Sequence, residues 1–165
     1  MDSGTDRLSP TIAAVAVALT ALGWWFGTAL QPLWWAAWLA PLPLLAAAVR
    51  MRARWAALAT FVAFALGGLN LWHYLHDVIR LRLAVVLQAI AMPAVAMIPA
   101  VLLFRALARR GWLLAATFSV PASATGLAWL SARLSPHGTF GNIAYTQMDA
   151  VPLLQVAALA GLWGV

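Results

Sequence analysis

Apolar residues run along this chain in long blocks, separated by short polar or arginine-rich breaks. No charged residue falls between Thr11 and Val49, a stretch long enough for two helices of about 20 residues, the length that crosses a bilayer. Three more charge-free apolar runs follow, at Trp55–Leu75, Leu83–Phe104 and Gly111–Ala132. A buried core helix could account for one such run in a large globular protein. Five such helices in 165 residues leave nothing to cover them. The fold class is therefore all-α: a polytopic transmembrane helical bundle with five complete helices and a truncated sixth.

The pattern predicts helices over about Thr11–Leu30, Leu33–Val49, Trp55–Leu75, Leu83–Phe104 and Trp112–Ser131. Gln31-Pro32 forms the first turn. Pro41 and Pro43 kink or shorten the second helix. Pro93, Pro99 and Pro121 fall inside membrane helices, which tolerate proline when neighbours satisfy the freed carbonyls. His76–Arg82 and Ala132–Asp149 are loops on one side, and Arg50–Arg54 and Arg105–Arg110 are loops on the other. A sixth helix starts near Ala150. From Val151 to Val165 it reaches only about 22 Å, short of a hydrocarbon core of about 30 Å. A carboxylate ending inside the bilayer would cost a few kcal/mol, so the chain is expected to be a piece of a longer one. The first run has Arg7 before an apolar core, as a signal peptide does. That core is too long and continues into a second span, so a retained helix is expected.

Composition agrees with the pattern: 65% of residues are hydrophobic and 8% charged, against about 25% charged in an average soluble domain. The formal net charge is +6, and every basic residue is arginine. Such a charge can suggest nucleic acid, but here the arginines sit at the ends of apolar runs, so no nucleic-acid partner is expected. Arg7, Arg50, Arg52, Arg54, Arg105, Arg109 and Arg110 fall on one side if the N-terminus is cytoplasmic. Arg80, Arg82 and Arg133 fall on the other. The positive-inside rule selects that orientation. The clusters should also attract anionic lipid headgroups. Of the ten tryptophans, Trp24, Trp25, Trp34, Trp35, Trp55, Trp72, Trp112 and Trp129 lie near span ends, where interfacial anchoring explains them.

The chain has no Cys, no Glu and no Lys. No disulfide, thiolate nucleophile or cysteine metal site can form from these residues. His73, His76 and Asp77 would share a helix face at i, i+3 and i+4. They could be an imidazole and carboxylate metal cluster. With no fourth ligand, a polar helix end among the headgroups accounts for them more simply. Asn70 is expected to bind between helices, and Gly67-Gly68 to allow close helix approach. Ser119 and Ser123 are expected to bond carbonyls freed by Pro121. No cofactor is expected.

Several blocks resemble the membrane domain of bacterial apolipoprotein N-acyltransferases. Gln31-Pro32, Trp35, Leu39 and Pro43-Leu44-Leu45 look like that family's first hairpin. Gly67-Gly68 followed by Trp72 and Tyr74 resembles its glycine-rich helix ending in Trp-x-Tyr. From Pro121 to Val165 the chain can be laid on the family without a gap, with matches at Tyr145, Gln147, Pro152, Gln155, Ala157, Gly161 and Trp163-Gly164-Val165. Two departures stand out. Ala128 and Ser131 occupy positions where the family commonly has Glu and Arg. His137-Gly138-Thr139-Phe140 replaces Gly-Phe-Pro-Trp. The resemblance implies residues 1–165 as an N-terminal transmembrane domain in a bacterial inner membrane, with a separate nitrilase-like domain bearing a Glu-Lys-Cys triad absent from this chain. It implies phospholipid-to-lipoprotein N-acyl transfer on the N-terminal diacylglyceryl-cysteine. The implied partners are a phospholipid acyl donor, the lipoprotein substrate and membrane lipids. In that frame Phe140, Asn142, Tyr145 and Gln147 of the long outer loop, with Trp72 and Tyr74, are the candidate lipid or substrate contacts. No residue of this chain is expected to be catalytic. The rival reading is a non-enzymatic membrane scaffold or small transporter that kept the fold. The few polar residues within the spans (Asn70, Gln88, the Ser and Thr of the fifth helix) argue mildly against transport.

Overall fold

The computed structural model describes residues 8–134, 138–139 and 141–164. Among them the chain is helical with no strand. The helices are α1 (Pro10–Gly27), α2 (Trp34–Leu39), α3 (Leu42–Ala48), α4 (Ala53–Gly68), α5 (Leu83–Arg109), α6 (Leu113–Leu134), α7 (Val151–Leu154) and α8 (Ala157–Ala160). Pro10 opens α1, where a missing N–H costs nothing. Thr28 closes it, with both its backbone N–H and its hydroxyl donated to the Trp24 carbonyl.

Four helices are long and apolar enough to cross a membrane: Pro10–Gly27, Ala53–Leu71 (α4 with the 3₁₀ turn that follows it), Leu83–Arg109 and Leu113–Leu134. The bundle expected from the sequence is present, with refinements. The second apolar run is divided at Ala40-Pro41 into α2 and α3. Proline lacks the amide that would continue the ladder, and together the two pieces are shorter than a full span. The sixth segment is likewise broken into short turns. Pro93, Pro99 and Pro121 lie inside continuous α5 and α6.

Two loop boundaries differ from expectation. The backbone stays helical past Leu75, in a 3₁₀ turn (Leu69–Leu71) and a π-helical turn (His73–Val78). The reversal comes at Arg80, whose φ is 60°. At the other end, α5 continues through Arg105 to Arg109, so the second arginine cluster is helical and not a loop. Arginine forms helices well, and cations suit a helix C-terminus, so the first charge does not end the helix.

α4 sits between α1 and α5, α6 packs on the far side of α5, and α2 and α3 lie along α1. Much of this contact is made by small residues, as in membrane bundles generally. A Cβ on Gly27 would stand 2.5 Å from the Ala37 nitrogen, and one on Gly67 would stand 2.8 Å from the Ala21 carbonyl oxygen. Backbones therefore meet almost directly at α1–α2 and α1–α4, as expected for Gly67. Phe64, Leu44 and Val101 are wholly buried, and Phe64 meets Trp24 edge-on at 4.8 Å between centroids. The outward surface is apolar, with Leu114 75% and Phe118 64% exposed. A water-facing surface of that kind would be a large apolar patch, whereas lipid covers it without cost. The protein is an integral membrane protein.

The two arginine clusters meet at one end. Arg105 Nε donates to the Met51 carbonyl at 2.9 Å. The start of α1 belongs to the same end, since Leu8 and Arg50 line one groove. The polar turns after α1, α4 and α6 gather at the opposite end.

Candidate functional site

The end opposite the two arginine clusters is held by two side-chain amides. Asn70 is the first. Its Nδ2 donates to the Trp25 carbonyl at 2.7 Å and to Thr28 Oγ1 at 3.1 Å. It ties the end of α4 to the end of α1, the interhelical role expected of it. Its Oδ1 is buried without a partner among the described residues.

Gln147 is the second. It closes a 3₁₀ turn, Ile143–Gln147, and only 3% of its surface is exposed. Its Oε1 accepts from Trp38 Nε1 at 2.8 Å, and its Nε2 donates to the Trp34 carbonyl at 3.2 Å and to Thr146 Oγ1 at 2.9 Å. A segment distant in sequence is thereby latched onto both ends of α2. The turn is prepared locally. Asn142 Oδ1 accepts from the Ala144 amide at 2.9 Å, capping the first turn, and Tyr145 OH meets Thr139 Oγ1 at 2.8 Å.

The latch also orients Trp38. While its indole N–H reaches Gln147, its ring lines a cleft of about 660 Å³ between α2, α6 and the C-terminal turn. Phe118, Pro121, Thr125 and Trp129 of α6 form one wall, and Trp163 closes another side. The cleft is mostly apolar and opens broadly at the surface.

The sequence-derived candidates therefore separate. Gln147 faces the protein, and Asn142 caps the turn that carries it. Tyr145 is 44% exposed and stands on the surface of that segment. Trp72 and Tyr74 are half-buried elsewhere at this end, against a small cluster of Leu75, Val86 and Ile90. The Trp72 ring also stacks on His76, with centroids 5.3 Å apart. Phe140 lies outside the described residues. Trp38, Phe118 and Trp129 were not singled out as contacts. The signal for Trp38 was available: it is a tryptophan away from the span ends, and an indole N–H in such a place needs an acceptor.

His73 Nδ1 and His76 Nδ1 both contact Asp77, at 2.8 and 2.6 Å. Hydrogen bonds from His76 and His73 hold the Asp77 carboxyl below its usual range. All three side chains are exposed. Among the described residues no group of three His, Cys, Asp or Glu is arranged to hold a metal. The polar side chains within the spans are largely occupied by their own backbone. Thr60 bonds the Ala56 carbonyl, Ser119 the Ala116 carbonyl and Thr117 the Leu113 carbonyl. Ala128 and Ser131 sit on α6, and among the described residues neither has a side-chain hydrogen bond or ion pair in place of the Glu and the Arg.

No curated protein and no solved structure matches this chain. A family does: the apolipoprotein N-acyltransferase N-terminal domain matches residues 20–165, which takes in α2, the whole of α4 to α6 and the latched segment. The chain belongs to the apolipoprotein N-acyltransferase N-terminal domain family.

Proposed function

We propose that this chain is the membrane platform for phospholipid-to-lipoprotein N-acyl transfer in a bacterial inner membrane. On this reading a phospholipid acyl chain lies in the cleft between α2 and α6. The lipoprotein's N-terminal diacylglyceryl-cysteine approaches the latched segment beside Tyr145, with Trp72 and Tyr74 on the same outer surface. The observation that carries it is the coupling of latch to cleft: Gln147 fixes Trp38, and the Trp38 ring walls an apolar space between α2 and α6. Family membership gives that space a chemical meaning.

The bond-making step belongs to other residues. A thiolate nucleophile with a carboxylate base and an ammonium oxyanion partner needs Cys, Glu and Lys, and this chain supplies none of them. What it contributes is position. Holding two membrane-bound reactants in one orientation removes much of the entropic barrier between them.

The test is photocrosslinking in bilayers with a phospholipid carrying a diazirine in its acyl chain. Adducts concentrated on Phe118, Trp129 and Trp163, and reduced by the T125W substitution in the cleft, support the proposal. Adducts spread evenly over the exposed faces of all helices, Leu87 and Met92 included, contradict it.

A further inference from the structure

The arginine end carries a second groove. Ile12 and Ala16, one turn apart on α1, line it together with Leu8, just before the helix. α3 contributes Pro43, Ala46 and Ala47, and Arg50 follows in the turn after it. The space between them is about 280 Å³, and the side chains that line it are apolar apart from the Arg50 guanidinium. Arg105 binds the Met51 carbonyl, which brings the α5 cluster beside Arg50 and Arg52. Arg54 lies over the Trp55 ring, 5.5 Å from its centroid, a pair suited to the headgroup layer. Among the described residues none of these six arginines forms an ion pair, and Asp77 and Asp149, the acidic residues among those described, belong to the opposite end. A groove of apolar side chains beside a cluster of arginines is complementary to one kind of molecule, a lipid with an anionic headgroup.

We infer that this groove binds an anionic phospholipid of the arginine-side leaflet, with its phosphate at Arg50 and an acyl chain between α1 and α3. This site is separate from the cleft between α2 and α6, and it stands whether or not that cleft holds an acyl donor. Its role is structural: the bound lipid bridges the start of α1 to the end of α3, where no side-chain bond joins them among the described residues. A ligand that binds the folded state raises its stability by mass action.

The experiment measures the thermal unfolding midpoint of the full chain in nanodiscs of phosphatidylcholine, alone or with phosphatidylglycerol. Phosphatidylglycerol should raise the midpoint of the wild type. R50Q should weaken the apparent lipid affinity about fivefold, in line with one arginine near a charged surface. A46F, which fills the groove from an exposed position, should do the same with the arginines intact. R133Q, at the opposite end, should respond as the wild type does. The midpoints in phosphatidylcholine alone report whether each variant folds. Three results overturn the proposal: an equal response to both lipids, an undiminished response in both R50Q and A46F, or an equal response to soluble glycerol phosphate, which has the headgroup chemistry and no chain.

Discussion

Replacing Gln147 with methionine tests the latch most sharply. Methionine keeps the length and fills the same space, but it neither donates nor accepts as an amide does. Two long-range bonds disappear, Trp38 Nε1 to Oε1 and Nε2 to the Trp34 carbonyl. A net contribution of about 1 kcal/mol each gives roughly 2 kcal/mol. Hydrogen bonds within a membrane average nearer 0.6 kcal/mol, which sets a lower figure of about 1.2 kcal/mol. Trp38 is 51% exposed, so its released N–H can find headgroup or water, which keeps the total below the full desolvation cost. The effect should be local. Amide hydrogen exchange at residues 143–148 should accelerate about 7- to 30-fold, since each 1.4 kcal/mol is a factor of ten. The interior of α4 should be unaffected. T146A removes only the neighbouring bond within the segment and serves as the comparison. If Q147M accelerates exchange no more than T146A does, the latch does not hold the segment to α2 and the argument from Trp38 to the cleft fails.

Other perturbations follow from the same geometry. Gly27→Ala should destabilise by about 1–3 kcal/mol, because its Cβ meets the backbone of Ala37 and not a movable side chain. Gly126→Ala has open space around it and should be neutral or slightly stabilising, so thermal unfolding of the pair isolates close backbone approach. The lowered pKa of Asp77 gives stability that is present above the ordinary carboxylate value of 3.8 and is lost as pH falls through the lower folded-state value. The gap in unfolding midpoint between wild type and D77N should therefore be steady above about pH 5 and shrink in more acidic buffer. A gap that widened on acidification would contradict the assignment.

Much of this architecture was legible because a bilayer imposes a simple rule: long apolar runs become spans, and charges mark their ends. That rule located α1, α4, α5 and α6, and it put the two arginine clusters on one side, where Arg105 and Met51 meet. It also anticipated that Pro41 would interrupt the second run while Pro93 and Pro99 would be absorbed. The same rule failed where charge and helix end do not coincide. Arg105 and Arg109 continue α5, and His73–Val78 continues the helix past the apolar segment. Hydropathy reports where a chain leaves the membrane, not where its backbone stops coiling. Gln147 was legible as important and illegible in its direction. Polar loop residues are ordinarily read as outward-facing, and only the pairing with Trp38, 109 positions away, turns this one inward. Such pairings depend on tertiary placement, which one-dimensional periodicity does not carry. The cleft was missed for the same reason, because Trp38, Phe118 and Trp129 look like lipid-facing aromatics until α2 is set opposite α6.

The account rests on one spatial claim: the arginine end lies in the cytoplasm and the latched segment lies on the other side of the membrane. The chain has no cysteine, so single-cysteine variants carry no background. A53C and M148C change exposed residues at the two ends and leave every arginine in place. Intact cells with a permeabilised outer membrane would be treated with a membrane-impermeant maleimide. The account predicts labelling of M148C in intact cells and of A53C only after lysis. Labelling of A53C in intact cells, or equal labelling of both, would contradict it.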